Sequence, residues 1–119
     1  MSYVQGFLIP VPKSNKEAYC ELAAQSAAIF EEYGALRTVE SWSDSVPDGK
    51  TTDFKRAVKA TDDEAIVFSW IEWPDKATCD AAHERMQTDK RWAQMGDMPF
   101  DGKRMIWAGF DPILEHNAG

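Results

Sequence analysis

The stretch Ala65–Trp73, Ala-Ile-Val-Phe-Ser-Trp-Ile-Glu-Trp, is apolar on both parities of an extended chain. Ile66, Phe68 and Trp70 share one face; Val67, Ile71 and Trp73 share the other. A strand of that kind belongs at the centre of a sheet with both faces covered. Tyr3–Val11 is β-branched and aromatic, is interrupted by Gly6 and closes at Pro10 and Pro12. It predicts a first strand with a bulge or a close backbone approach at Gly6. Leu36–Ser43 alternates poorly, with Arg37 and Glu40 among its apolar positions, and predicts an edge strand. In Met98–Phe110, Asp101-Gly102 predicts a tight turn feeding a closing apolar strand that carries Trp107 and Phe110.

Helical periodicity fills the gaps between these strands. Ser14 and Glu17 have the spacing of a capping box. Behind them Tyr19, Leu22, Ala23, Ser26, Phe30 and Tyr33 fall on one stripe, and Gly34 predicts a left-handed stop. Pro74-Asp75 predicts the start of a second helix, with Asp75 as N-cap and an end near Gln87 or Thr88. Cys79, Ala82, His83 and Met86 share one face of it, and Asp89–Met95 predicts a separate short helix. Asp44–Asp53 contains Pro47-Asp48-Gly49 and predicts a long, mobile loop; Phe54–Ala60 fits a helical turn or a short strand equally well.

Strand, helix, strand, strand, helix, strand is the ferredoxin-like βαββαβ order, an α+β fold expected here as one domain over residues 1–119. Right-handed crossovers place both helices on one face of the sheet. The other face should be polar in a water-exposed antiparallel sheet, yet the central strand is apolar there as well. A second copy related by a two-fold axis is the simplest cover, which predicts a homodimer through the sheet faces, a dimeric α/β barrel.

Charge and cysteine usage narrow the partners. The 20 acidic and 13 basic residues leave a net charge of −7, which opposes binding to phosphate backbones and anionic lipid. Cys20 and Cys79 lack metal-ligand spacing and predict reduced thiols in a cytoplasmic protein. Met1–Gly6 has neither the basic region nor the apolar run of a signal peptide, and no stretch approaches the ~20 apolar residues of a membrane span.

Five stretches carry a resemblance: Tyr3-Val4-Gln5-Gly6-Phe7, Pro10-Val11-Pro12, Phe54–Lys59, Val67-Phe68-Ser69-Trp70-Ile71 and Met98–Met105. In that order, over nearly the whole chain, they resemble the YbaA-like family, small bacterial proteins grouped under a domain of unknown function. The resemblance implies the dimeric α/β-barrel fold and imports no catalytic residue, because the family has no settled mechanism. The chain departs from the expected pattern at Gln5, where an acidic residue is expected, and at Lys55, where proline is expected. The first departure weakens any acid/base role for the opening strand. Some relatives carry an RNA-signal-recognition label.

Candidate chemistry is sparse. His83 is the candidate catalytic residue, a general base at the wall of a pocket between the second helix and the sheet; the plainer alternative is a buried imidazole with one hydrogen bond. Candidate ligand-binding residues are Tyr3, Arg56, Ser69, Trp70, Asp101 and Arg104. Arg56 belongs to a basic group with Lys50, Lys55 and Lys59 that suits a phosphate or carboxylate, or simply faces solvent. Asp101 and Arg104 suit a polar site, or merely the chemistry of their turn, and parity alone leaves open which of Ser69 and Trp70 points toward the helices. The His-Glu-x-x-His spacing is absent, as are a Gly-rich phosphate loop and a nucleophile elbow, so neither metal nor cofactor is expected. Three functions compete: a homodimer that binds or transforms a small molecule, a non-catalytic homodimeric binding or stress-related module, and an RNA binder. The last is disfavoured by the acidic charge and the missing glycine-aromatic signature. A ligand-sized cavity between helix and sheet favours the first; a filled core there favours the second.

Overall fold

The computed structural model describes residues 2–119. Along the chain run β1 (Tyr3–Pro12), α1 (Lys16–Glu32), β2 (Arg37–Trp42), α2 (Phe54–Ala57), β3 (Glu64–Trp73), α3 (Lys76–Thr88), α4 (Lys90–Gln94) and β4 (Ile106–Phe110). The strands form one antiparallel sheet in the order β2-β3-β1-β4, so the fold is α+β. β1 and β3 pair along their whole length, from Tyr3 opposite Trp73 to Pro12 opposite Glu64. Two prolines are tolerated in a central strand because β4 pairs only with Val4–Leu8. Lys13 continues the odd-numbered alternation by donating to Asp63, so Pro10 and Pro12 turn their nitrogens to the side that β4 leaves open. Gly6 marks a close approach and no bulge: the pairing is continuous, and a Cβ there would meet the Phe110 ring at 3.2 Å.

One face of the sheet is covered by helices. Ile29 and Tyr33 of α1 pack with Ile71 and Trp73 of β3 and with Cys79 and Ala82 of α3. Both long helices therefore lie on the odd-numbered face of β3, and Trp73 is entirely buried there. Ile9, Val11, Tyr19 and Val67 continue the core toward the other end. The opposite face carries Leu8, Phe68, Trp70, Ile106 and Phe110, with no long helix over it. Phe68 is 48% and Phe110 55% exposed. The sequence placed apolar residues on both faces of β3, and the structure leaves one of the two sets half open.

Local signals explain most boundaries. Asp75 caps α3 by accepting from the Thr78 backbone at 2.7 Å, and Asp53 caps α2 by accepting from Arg56 at 2.8 Å. The second cap resolves residues 54–57 as helix. The capping box at Ser14 does not form. Lys13–Asn15 is a 3-10 turn, and α1 starts behind Asn15 without a side-chain cap. Asn15 instead donates to the Pro99 carbonyl, a contact 84 positions away that outcompetes the local one. Past the end of α1, Gly34 sits at φ 112°, with Gly34 N–H on Glu31 and Ala35 N–H on Phe30, the paired bonds of a Schellman stop. α4 is tied down by Trp92, whose indole donates to Tyr33, and by Tyr33, whose hydroxyl donates to Asp89.

Gly34→Ala should lose more than about 1 kcal/mol of stability and several degrees of Tm. The left-handed backbone penalises a Cβ, and that Cβ would fall 2.8 Å from the Thr78 methyl. Thermal unfolding of the variant checks this; an unchanged Tm would remove the glycine's role.

Candidate functional site

His83 lies on the sheet-facing side of α3, next to Ala82 and one turn from Cys79. Its Nε2 is 2.6 Å from the Gln5 side-chain nitrogen, and the Gln5 oxygen accepts from the Trp73 indole at 2.8 Å. The chemistry assigns every proton in this chain. An indole N–H can only donate, so the atom it meets is the amide oxygen of Gln5. The amide NH₂ then faces His83, whose Nε2 must accept, which places the imidazole proton on Nδ1 of a neutral ring. Gln5 is itself buried, because its position in β1 faces the helices beside Trp73. Trp107 of β4 stands edge to face against His83, with ring centres 5.5 Å apart, and is 54% exposed because no helix covers the β4 edge. Tyr3 lies along the same strip, its hydroxyl filling the space that a Cβ at Gly109 would need.

A second polar group crosses the same layer. The Tyr19 hydroxyl donates to Glu40 of β2 at 2.7 Å. Burial, then the Glu40 charge, pushes the Tyr19 phenol upward. Partial burial pushes the Glu40 carboxyl up, against the lowering effect of the Tyr19 hydroxyl and of Ser69 opposite it, which is itself buried. Ser69 is thus the inward residue and Trp70 the outward one. On the open face the Trp70 indole donates to Glu72, which also pairs with Arg37. Burial pushes the Cys79 thiol up, away from the reactive thiolate; Cys20 and Cys79 are both free.

Arg104 and Asp101 form a clamp. The Arg104 guanidinium donates to both oxygens of Glu64, at 2.7 and 2.6 Å, to Asp101 at 2.9 Å and to the Lys59 carbonyl at 2.9 Å. It binds the turn before β4 to the first residue of β3. Arg56 closes its own loop by donating to the Lys50 carbonyl. The structure therefore brings Tyr3, Gln5, His83 and Trp107 to one strip and Ser69 to a neighbouring polar group. Arg56, Trp70, Asp101 and Arg104 stand apart from that strip. Gln5 and Glu40 were missed as polar partners, because their relevance comes from strand pairing and not from any local spacing.

Clefts open elsewhere. One of about 440 Å³ lies between residues 41–54 and the open sheet face, and one of about 310 Å³ lies over Gly6, Leu8, Phe68 and Phe110. His83 lines neither of them. Between the helices and the sheet the space at this point is taken by Trp73, Ala82 and Cys79, all buried. Among the described residues no group of three or more His, Cys, Asp or Glu side chains is placed to hold a metal ion. No helix among them is long and apolar enough to cross a membrane.

The family described as "Protein of unknown function (DUF1428)" matches residues 2–102. The chain belongs to this family. It is also 54% identical over 116 residues to "Uncharacterized protein YbaA" of Escherichia coli K12, covering 97% of this chain and 99% of that protein. The proteins of the same name from Escherichia coli O157:H7 and Shigella flexneri match to the same extent. The DUF1428 match contains Gln5, Trp73 and His83, together with Glu64 and the Asp101-Gly102 turn, and stops before β4 and its Trp107.

Gln5→Leu should leave the buried Trp73 indole unpaired and cost about 1–3 kcal/mol, read by urea unfolding. A second expectation concerns acid. The Arg104 guanidinium holds the Glu64 carboxyl below its ordinary 4.5, against a raising effect of burial, and the Thr61 backbone N–H adds to the lowering. A carboxyl lowered in the folded state adds stability above its unfolded value, and that stability is lost as pH falls through the folded value. The gap in stability between wild type and Arg104→Gln should be widest near neutral pH and should narrow below about pH 4. A gap that stays constant from neutral to acid would show that the clamp does not act through Glu64.

Proposed function

We propose that the chain is a homodimeric, non-catalytic small-molecule-binding protein of the cytoplasm, built as a ferredoxin-like βαββαβ unit whose open sheet face pairs with a second copy. The sheet order β2-β3-β1-β4 with both long helices on one face supports that topology. The observation that carries the dimer is the open face itself. Phe68, Ile106 and Phe110 are each about half exposed on a chain that carries a net charge of −7. Burying one such side chain is worth ~1.5–3 kcal/mol, and a two-fold axis lets each copy bury the same set. At the rim, the Arg37–Glu72 pair and the Trp70–Glu72 hydrogen bond reduce the charge that would have to be desolvated.

Binding is favoured over catalysis by the His83 geometry. A general base needs a free lone pair, and the lone pair of neutral His83 already accepts from Gln5. The remaining Nδ1–H can only donate, so it cannot take a proton from a substrate. Nothing in the acidic surface favours a nucleic acid partner.

Light scattering at micromolar concentration should return twice the 13.4 kDa chain mass. Phe110→Lys, at an exposed position, should shift it toward a single chain without unfolding it. Wild type running as one 13.4 kDa species would sink the dimer.

A further inference from the structure

The segment between β2 and α2 makes a roof over one corner of the open sheet face. Beneath it Ile66 forms a buried floor, and Phe68 and Phe54 meet edge to face at 6.3 Å between ring centres. Ser41, Ser45 and Thr52 are among the residues lining the cleft. Its volume, about 440 Å³, is in the range of small-molecule sites.

This roof is built before any ligand arrives. One oxygen of Asp53 accepts from Arg56 N–H at 2.8 Å and the other from Gly49 N–H at 3.1 Å. The backbone donors of Arg56 and Gly49 hold the Asp53 carboxyl below its usual range, so it stays ionised and keeps both bonds. A Cβ on Gly49 would fall 1.9 Å from the Thr52 carbonyl oxygen, so the turn takes this shape only with glycine. At the other end Ser43 N–H donates to the Ile66 carbonyl, and Ile66 N–H donates to the Ser43 hydroxyl, both at 2.9 Å. A preformed cleft spares the ligand the cost of ordering its own site.

Charge then selects the ligand. The charged side chains lining the cleft, Asp48 and Asp53, are both acidic. Their partners, Lys55 at 3.7 Å from Asp48 and Arg56 at 3.5 Å from Asp53, stand outside the lining. We propose that the cleft between residues 41–54 and the open sheet face binds a neutral or cationic aromatic small molecule of one or two rings. The ring packs on Phe54 and Phe68, and the exposed Asp48 carboxylate at the rim disfavours an aromatic acid. This deepens the binding reading, since it names the place and the ligand class, and it requires neither the dimer nor His83.

The test is a titration of the full chain, followed by amide chemical shifts, with indole, tryptamine and indole-3-acetate as neutral, cationic and anionic probes. Indole and tryptamine should give saturable shifts confined to residues 41–54 and 66–68. Indole-3-acetate should bind at least about ten-fold more weakly than tryptamine. Val46→Trp, which fills the cleft from its lining, should abolish the shifts. Phe54→Ala, at a half-exposed position, should weaken binding roughly five-fold or more, and it decides the matter if Val46→Trp fails to fold. Phe110→Lys should bind as wild type does. Shifts centred on His83 and Trp107 would overturn this site and leave the binding reading intact. No saturable shift at millimolar probe, or tightest binding of the anionic probe, would also overturn it. A monomeric wild type that still binds at residues 41–54 would overturn the dimer alone.

Discussion

The hydrogen bond from the Trp73 indole to the Gln5 amide is possible only in the observed register of the two central strands. Side chains in a strand alternate with period two, so a slip of one residue would exchange the faces completely. Phe68 and Trp70 would then enter the helix layer, and Ser69, Ile71 and Trp73 would face outward. The native register puts a wholly buried indole against an amide that can answer it, and every other placement follows. β2 joins β3 with Glu40 opposite Ser69, which brings the carboxylate to Tyr19. β4 joins β1 with Phe110 opposite Val4, which puts the Phe110 ring over Gly6.

Much of this arrangement could be read from the sequence, wherever the deciding interaction is local. The two-faced apolar pattern of residues 65–73 needs only alternation, and β3 is indeed central. The Asp75 cap and the Gly34 stop act within a few residues and form as expected. Where a distant contact competes, the local signal fails. Ser14 loses its capping box to a 3-10 turn anchored by Lys13 on Asp63 and by Asn15 on Pro99. Phe54–Ala60 stayed ambiguous because its propensities are balanced, and the Asp53 side chain tips them toward helix.

The same division runs through the candidate site. Helical spacing alone turns His83 toward the sheet. Its partner Gln5 is 78 positions away, and only the pairing of β1 with β3 brings the two together. That pairing also settles Ser69 as inward and Trp70 as outward, which parity within one strand could not do. Asp101 and Arg104, attractive as a polar site, are consumed by the buried Glu64 that their turn must cover. The cleft under residues 41–54 had no motif to announce it, because its floor comes from a strand and its roof from a loop.

Between helices and sheet, the polar groups are already spent on one another. Trp73 answers Gln5, Gln5 answers His83, Tyr19 answers Glu40, and Trp92 and Tyr33 lead to Asp89. Among the described residues, no fully buried side-chain nitrogen or oxygen lacks a partner. A ligand entering that layer would have to break such bonds and repair each one, at a loss of about 1 kcal/mol or more for every failure. The open face presents the reverse situation. Its rings have little to pack against, so anything apolar that settles there gains contacts without giving up hydrogen bonds. A second copy and a small aromatic ligand both meet that condition, and both would use the Phe68 ring. The cleft under residues 41–54 uses the β2 corner of the face, while Ile106 and Phe110 lie across β1 from it on the β4 side. Phe54 and Phe68 both border the two regions.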